Sequence, residues 1–256
     1  MGKNPEAQYR RYRPDYSGMT VEELPFCTIP DLFGQPITLA TDLIRAEMAD
    51  RTARLPVVIF VHGGGFVEPN DKRQAYISRF AKTLTGAGYA VLSPDYPQYD
   101  SPEQIQDKGE ELRAVRTAGQ AVHALYTWLT RHGADHGLDA GCVALMGGSA
   151  GAMAGFYAIA DHPRDRYRLF GNLWGVPDPL PPLQNFPPVV SVHGTADPLV
   201  PYAREAALQA ALEQSGVPHT LVTLDGAGHT PIGQMAQYMP VLLDWLTRTM
   251  HPTPTV

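Results

Sequence analysis

The sequence has few cysteines and no recognisable pattern of metal ligands. Only two of its 256 residues are cysteine, and neither Cys27 nor Cys142 stands in a Cys-x-x-Cys or Cys/His cluster of the kind that binds zinc. We therefore expect no metal site. A single disulfide between the two is left open, although two cysteines do not make the disulfide framework of a small secreted domain.

Positive charge and long apolar runs are also scarce. The 20 lysines and arginines face 26 acidic residues, which gives a net charge of −6 and no basic excess to neutralise phosphates. We therefore expect no nucleic-acid partner. No run approaches 18 apolar residues, so no membrane span is predicted. Residues 1–13 are polar and basic, unlike a signal peptide, and we expect a cytoplasmic protein.

Glycine and proline, in contrast, are abundant, with 24 of each. Proline, at about 9% of residues, exceeds the usual ~5%, and eight prolines fall within residues 175–201. With 44% hydrophobic and 18% charged residues, the chain is too apolar to be disordered throughout. We predict a single domain over residues 1–256, in which residues 1–25 form an N-terminal arm, because single α/β domains often reach this length.

From residue 57 onwards, short apolar runs alternate with longer segments of helical periodicity. Strands are predicted at residues 57–61, 89–92, 142–146, 169–174, 189–192 and 219–224, and helices at residues 72–84, 103–131, 150–160, 203–214 and 231–250. Near-continuous apolar strands are typical of a parallel sheet covered on both faces, and the alternation with helices indicates an α/β fold. Residues 26–29 and 36–44 are predicted to pair at an edge of the sheet.

A serine stands in a sharp glycine turn between a predicted strand and a predicted helix. Residues 147–151 read Gly-Gly-Ser-Ala-Gly, which is a G-x-S-x-G pattern in the strand–turn–helix context that it requires. Such a turn exposes the serine hydroxyl above the sheet, and the helix N-terminus behind it favours negative charge. On this pentapeptide alone, a structural turn with an incidental serine explains the pattern about as well.

Three further loops follow predicted strands. Residues 62–66, His-Gly-Gly-Gly-Phe, expose backbone N–H groups of the kind that form an oxyanion hole, and we interpret His62 as a residue that braces this loop. Asp197 lies in residues 193–198, and His229 ends the run Gly-Ala-Gly-His. Each loop alone is open to a structural interpretation. Ligands of open α/β sheets bind at the carboxyl ends of strands, however, and Ser149, Asp197 and His229 occur in a known catalytic order.

With these motifs the chain resembles the α/β-hydrolase esterases, especially those similar to hormone-sensitive lipase and the feruloyl esterases. The resemblance covers roughly residues 26–250. It implies an α/β-hydrolase fold, in which a mostly parallel central sheet is covered by helices on both faces. Related esterases often carry an Asn-Tyr-Arg or Asp-Tyr-Arg run after the next strand. Residues 95–97 read Asp-Tyr-Pro here, so the arginine is missing.

The resemblance also implies roles for individual residues. Ser149 is expected to be the nucleophile, His229 the general base and Asp197 the acid that orients it. The oxyanion hole is expected to consist of the backbone N–H groups of Gly64, Gly65 and Ala150. The implied reaction is hydrolysis of a carboxylic ester through an acyl-enzyme, which needs no metal and no organic cofactor.

The segment in which relatives often carry a cap is short in this chain. Residues 175–188 are predicted to be a proline-rich connection in place of a cap, which leaves minimal or no lid. A shallow cleft favours short acyl groups, or an ester displayed on a large molecule such as a sugar or a polymer, so we expect a small-molecule or polymer-borne ester as the substrate. We expect the cleft walls to include Phe66, Tyr96 and Trp174, and the alternative that these are ordinary core aromatics stays open.

Several other functions are compatible with the same motifs. A thioesterase, a lactonase, or a non-hydrolytic acyl transferase or cyclase would use the same residues, because a fold does not fix a function. A peptidase of the prolyl-oligopeptidase type shares the residue order, but the chain has no room for a gating domain. A non-catalytic binding module is disfavoured because all three triad residues are present. The natural substrate and the oligomeric state are left open.

Overall fold

The apolar runs of the sequence form the strands of one sheet. A computed structural model describes residues 13–48 and 53–250. The strands of these residues are β1 (Met19–Pro30), β2 (Pro36–Ala46), β3 (Leu55–Val61), β4 (Ala90–Pro94), β5 (Leu138–Gly148), β6 (Tyr167–Leu173), β7 (Val189–Gly194) and β8 (His219–Leu224). They lie in the order β1-β2-β4-β3-β5-β6-β7-β8. The first two strands are antiparallel to their neighbours, and all pairs from β4 to β8 are parallel.

Helices cover both faces of this sheet. They are α1 (Ala75–Gly86), α2 (Lys108–His132), α3 (Ala150–Asp161), α4 (Tyr202–Gln214) and α5 (Met235–Met250). Alternate side chains of β3 enter two different cores: Val57 belongs to the core that also contains residues of α2, α3 and α4, whereas Val58 belongs to the core that contains residues of α1 and α5. Both side chains are fully buried. A strand buried on both faces has no polar position, which explains its continuous apolar sequence and confirms the predicted α/β-hydrolase fold.

Two predicted boundaries are corrected by the structure. The long helix begins at Lys108 rather than at residue 103, because the Asp107 side chain caps it by accepting hydrogen bonds from the N–H groups of Gly109 (2.7 Å) and Glu110 (3.0 Å). Residues 19–25 belong to strand β1 rather than to an arm, and residues 1–12 lie outside the described residues. The sequence predicts residues 26–29 of β1 but misses residues 19–25, because this part of the edge strand is largely exposed and includes the charged residues Glu22 and Glu23.

The remaining features concern the connections. Residues 174–188 join β6 to β7 without a helix or a strand. Cys27 and Cys142 are both free thiols, so the disulfide that the sequence left open is not formed. Within residues 13–48 and 53–250, none of the helices has the length and apolar character needed to cross a bilayer.

Candidate active site

The loops that carry Ser149, Asp197 and His229 leave the same edge of the sheet. Ser149 follows β5 directly, Asp197 comes three residues after β7, and His229 comes five residues after β8. Strands β5 to β8 are parallel neighbours, so their carboxyl ends lie side by side. Residues separated by up to 80 positions in the chain are thereby brought within hydrogen-bond distance.

Ser149 occupies a strained turn that requires glycine on both sides. Its backbone has φ 53° and ψ −121°, a conformation that residues other than glycine rarely adopt. A Cβ atom on Gly147 would lie 2.4 Å from the carbonyl carbon of Gly151, and one on Gly151 would lie 2.2 Å from the Val61 oxygen. The Ser149 N–H donates to the Leu173 carbonyl at 2.9 Å, which anchors the turn to β6.

The three polar side chains form a continuous chain of hydrogen bonds. Ser149 Oγ lies 2.8 Å from His229 Nε2, and His229 Nδ1 lies 2.7 Å from Asp197 Oδ2. An ionised carboxylate can only accept, so Nδ1 carries the proton and Nε2 is left to accept the serine hydroxyl. This tautomer is the one that can remove a proton from Ser149.

Asp197 is held in place from its other oxygen. Asp197 Oδ1 accepts from the N–H groups of Leu199 (2.8 Å) and Val200 (3.0 Å), and the carboxylate is fully buried. Burial alone would raise the pKa of this carboxyl, but hydrogen bonds from His193 and His229 outweigh it and hold the pKa far below its usual range. The carboxylate is therefore ionised near neutral pH.

The glycine loop after β3 lies against the serine turn. A Cβ atom on Gly63 would stand 3.2 Å from Ser149 Cβ, and the Gly63 N–H donates to Tyr76 Oη at 2.6 Å. Gly64 and Gly65 have φ values of 126° and 66°. Ala150 is the first residue of α3, where an N–H group has no acceptor inside the helix. The structure thus places Gly63, the residue before the predicted oxyanion residues Gly64 and Gly65, against Ser149, and the third predicted residue, Ala150, directly after it.

Side chains that the sequence did not single out hold this loop. Asn70 Nδ2 donates to the Gly64 carbonyl (3.2 Å), and Gln74 Nε2 donates to the Gly63 carbonyl (3.0 Å). Tyr76, which receives the Gly63 N–H, lies on α1. These residues follow the loop by 6 to 13 positions, so a motif confined to the loop could not identify them.

His62 is in the bracing position expected for it. The side chain is fully buried, Nδ1 lies 2.8 Å from the Gly63 carbonyl oxygen, and the ring stacks on Tyr96 with centroids 4.2 Å apart. Burial lowers the pKa of His62 to about 4, so the imidazole is neutral near pH 7. A neutral ring at this point adds no charge to the adjacent glycine loop.

The aromatic residues expected in the cleft walls lie in the core instead. Phe66 and Tyr96 are 2% exposed and pack together with centroids 5.9 Å apart. Trp174 is 1% exposed and packs edge-on against Tyr76 and Tyr238. The expectation that these rings form the cleft walls is corrected: the hydrophobic cores on the two faces take them up, and they support the loops from beneath.

Backbone strain marks the same edge of the sheet. In the described part of the chain, the residues other than glycine with positive φ are Phe66 (64°), Ser149 (53°), Trp174 (48°) and Thr230 (56°). Each follows the carboxyl end of a strand, and Thr230 is the residue after His229. Strained residues persist only where the surrounding structure fixes them, and they cluster at functional sites.

Asp95, in the Asp-Tyr-Pro run that lacks the arginine, is paired with a lysine from another segment. The Asp95 carboxylate forms an ion pair with the ammonium group of Lys72, which also contacts Glu23 at 3.2 Å. Burial would lower the pKa of Lys72, but hydrogen bonds to Asp95 and Glu23 raise it overall. A lysine from the loop before α1 therefore occupies the position opposite Asp95.

A serine on a strand–helix turn above a mostly parallel sheet, hydrogen-bonded to a histidine that is itself hydrogen-bonded to an aspartate, defines the class of α/β-hydrolases. A model of the phospholipase/carboxylesterase family matches residues 116–246, and one of the BD-FAE family matches residues 43–165. The first match covers just over half of the chain. The chain belongs to the phospholipase/carboxylesterase family.

Curated relatives align over part of the chain. Tuliposide A-converting enzyme 2 of Tulipa gesneriana is 32% identical over 107 residues, which are 41% of this chain and 26% of that protein. Esterase LipI of Mycobacterium tuberculosis is 32% identical over 117 residues, which are 44% of this chain and 31% of that protein. The aligned part therefore spans between a quarter and a third of the length of these relatives.

Solved structures show the same fold over nearly the whole chain. A thermophilic esterase of Thermogutta terrifontis superposes with a TM-score of 0.71 and 19% identity, covering 96% of this chain and 99% of that one. A thermostable esterase of Pseudomonas putida gives 0.72 and 20%, covering 97% and 88%. A truncated carbohydrate esterase from gut microbiota gives 0.68 and 16%, covering 93% and 99%.

Proposed function

We propose that the protein is a carboxylesterase in which Ser149 is the nucleophile, His229 the general base and Asp197 the orienting acid. The hydrogen-bond chain from Ser149 Oγ through His229 to Asp197, with distances of 2.8 and 2.7 Å, is the observation that carries this proposal. Membership of the phospholipase/carboxylesterase family and the esterase structures of the same fold support it.

The first half of the proposed reaction forms an acyl-enzyme. His229 Nε2 takes the Ser149 hydroxyl proton while Oγ attacks the ester carbonyl carbon, and the carbonyl π electrons move to oxygen. The N–H groups of Gly64, Gly65 and Ala150 stabilise this oxyanion. As the tetrahedral intermediate collapses, the bond to the alcohol oxygen breaks and His229 returns the proton to the leaving alcohol.

The second half releases the acid. Water enters where the alcohol left, His229 takes one of its protons, and the hydroxide oxygen attacks the acyl carbon. The intermediate collapses with cleavage of the bond to Ser149 Oγ, and His229 reprotonates the serine. Each donor in an oxyanion hole typically contributes about 2.7–4 kcal/mol to stabilisation of the transition state, so the glycine loop is an essential part of the proposed site beside the triad.

Short acyl groups, or esters exposed on a larger molecule, fit this site best. Residues 174–188 carry no helix, and we propose that they take the place of a cap. Pro177 and Pro179 of this connection pack near Met153, one turn along α3 from Ser149. The carbohydrate esterase among the neighbouring folds agrees with a sugar-borne ester.

A chain-length panel tests this proposal. p-Nitrophenyl acetate, butyrate, octanoate and palmitate are hydrolysed in parallel, and release of the free acid is measured beside release of nitrophenol. We expect kcat/KM to fall at least tenfold from acetate to octanoate, with acid and nitrophenol released in equal amounts. A preference for palmitate would refute the short-acyl proposal. If an acceptor alcohol is added and nitrophenol is then released in excess of the acid, the acyl group passes to that alcohol and the protein is an acyl transferase instead.

A further inference from the structure

A second buried histidine, His193, lies beside Asp197. His193 Nε2 lies 2.9 Å from the Val200 carbonyl oxygen and 3.4 Å from Asp197 Oδ2. His193 Nδ1 lies 3.2 Å from Glu205 Oε2. The side chains of His193, Asp197 and Glu205 are all fully buried, so water does not screen the charges among them.

The partners of His193 define its protonation. The Val200 carbonyl can only accept a hydrogen bond, so Nε2 carries a proton. The opposite nitrogen faces a glutamate oxygen, and a lone pair there would be repelled by the carboxylate. Burial alone would lower the pKa of His193, but hydrogen bonds to Asp197 and Glu205 outweigh it and raise the pKa to about 9. These contacts, with a carboxylate oxygen near each ring nitrogen, favour a positively charged imidazolium at His193.

Glu205 is fixed as an acceptor at both oxygens. Asn172 Nδ2 donates to Oε2 at 3.1 Å, and Gln209 Nε2 donates to Oε1 at 2.7 Å. The side-chain oxygen of Asn172, Oδ1, in turn accepts a hydrogen bond from the Gly175 N–H at 3.3 Å. A Cβ atom on Gly175 would lie 2.1 Å from the Ser149 carbonyl oxygen, so this polar network ends at the serine turn.

We propose that His193 and Glu205 form a buried ion pair that holds Asp197 in position. The positive charge of His193 weakens the electrostatic attraction between Asp197 and a protonated His229, and this sets the pH range in which the site works. The inference rests on the proposed function, since it assigns His193 and Glu205 to the machinery as positioning residues. His193 Nε2 and His229 Nδ1 contact the same carboxylate oxygen, Asp197 Oδ2, at 3.4 and 2.7 Å, so the positive charge of His193 lies close to His229. It therefore reduces the stabilisation that Asp197 gives to a protonated His229.

The direction of the expected effect follows from the groups around His193. The ionisable groups near His193 in the described residues are Asp197 on the loop after β7, Glu205 and Tyr202 from α4, and His229, which contacts the same oxygen of Asp197. Removing the positive charge of His193 leaves Asp197 uncompensated. Asp197 then attracts the proton on His229 more strongly, so we expect activity to fall off at a higher pH on the acid side of the profile.

The first test is the acid limb of the pH profile of kcat/KM for p-nitrophenyl acetate. His193→Gln keeps an N–H donor but removes the charge, and the double variant H193Q/E205Q removes the whole pair without leaving Glu205 unpaired. We expect both to move the acid limb upward by about one pH unit, the usual size for loss of one close charge. The control, Glu213→Gln, removes an exposed glutamate from the same helix and should leave the profile unchanged.

A purely structural role would lower kcat without moving the acid limb. An acid limb that stays in place in folded H193Q and H193Q/E205Q, or that moves downward, would overturn the proposal. A shift of equal size in E213Q would do the same, because it would show a general effect of charge.

A second readout does not depend on turnover. NMR of ¹⁵N-histidine-labelled wild-type protein should show both His193 nitrogens protonated at pH 7, and Glu205→Gln should lower the titration midpoint of that ring. A neutral His193 in the wild type refutes the ion pair even if the esterase is active. An imidazolium in a protein that hydrolyses no ester would leave the pair standing and reject the proposed function instead.

Discussion

His229 Nδ1 and Asp197 Oδ2 are joined by a hydrogen bond of 2.7 Å, and this contact fixes the tautomer of the ring. We predict that Asp197→Asn lowers kcat by about 10⁴-fold while KM changes little, because the amide can donate to Nδ1 and turn the proton to the wrong nitrogen. Stopped-flow or steady-state hydrolysis of p-nitrophenyl acetate measures the loss.

Asp225 offers a matched control for that substitution. It is exposed on the loop after β8 and accepts a hydrogen bond from Thr195 Oγ1 at 3.0 Å. Asp225→Asn should keep kcat within about twofold of the wild type. A similar loss in both variants would show that general damage to the loops, rather than the tautomer of His229, is being measured.

Gly64 is expected to be irreplaceable in the oxyanion loop. Its φ is 126°, and a Cβ atom there would lie 2.3 Å from Asn70 Cγ, so Gly64→Ala must move the backbone that carries the N–H donor. We predict a kcat lower by about 10²–10³-fold, the usual cost of losing one oxyanion donor. Gly86→Ala, at an open position at the end of α1, should leave kcat unchanged. Equal kcat in the two folded variants would remove Gly64 from the oxyanion hole.

The buried His62 makes a pH-dependent contribution to stability. Its pKa falls from 6.5 to about 4 on folding because burial disfavours the charged ring, so the unfolded chain binds a proton first. The stabilisation is complete above pH 6.5 and is lost as pH falls toward 4. Between pH 7 and pH 5 this group removes about 2 kcal/mol from the free energy of unfolding.

Urea unfolding at the two pH values measures this contribution. In the wild type the free energy of unfolding differs between pH 7 and pH 5, and His62→Asn should reduce this difference by about 2 kcal/mol. His219→Asn is the control, since His219 also places Nδ1 near a carbonyl oxygen, that of Val217 at 2.8 Å, but is only half-buried. If His62→Asn kept the full wild-type difference, His62 would not be the group responsible.

The sequence predicts those parts of the site whose steric requirements restrict the residue types within a short motif. The turn at Ser149 needs Gly147 and Gly151 because a side chain at either position would collide with backbone. The five-residue motif is therefore recognisable in the sequence. Asp197 and His229 follow strands whose apolar runs are unambiguous. The triad could thus be placed from chain order and strand ends alone.

Contacts between distant elements leave no such local signal. Glu205 reaches His193 across 12 positions from within an alanine-rich helix, and nothing in that helix indicates which glutamate points inward. Phe66, Tyr96 and Trp174 were expected in the cleft because they stand beside strand ends. Whether a ring at such a position faces the core or the cleft depends on the packing of both faces, which single residues do not reveal.

The most direct test of the central proposal is covalent labelling of the nucleophile. The protein is treated with a fluorophosphonate, digested and mapped by mass spectrometry, with Ser149→Ala and the exposed-site variant Glu213→Gln treated in parallel. We predict one label on Ser149 in the wild type and in E213Q, in step with loss of esterase activity, and none in S149A. Labelling of another residue, or full hydrolysis by S149A, would contradict the assignment of Ser149 as the nucleophile.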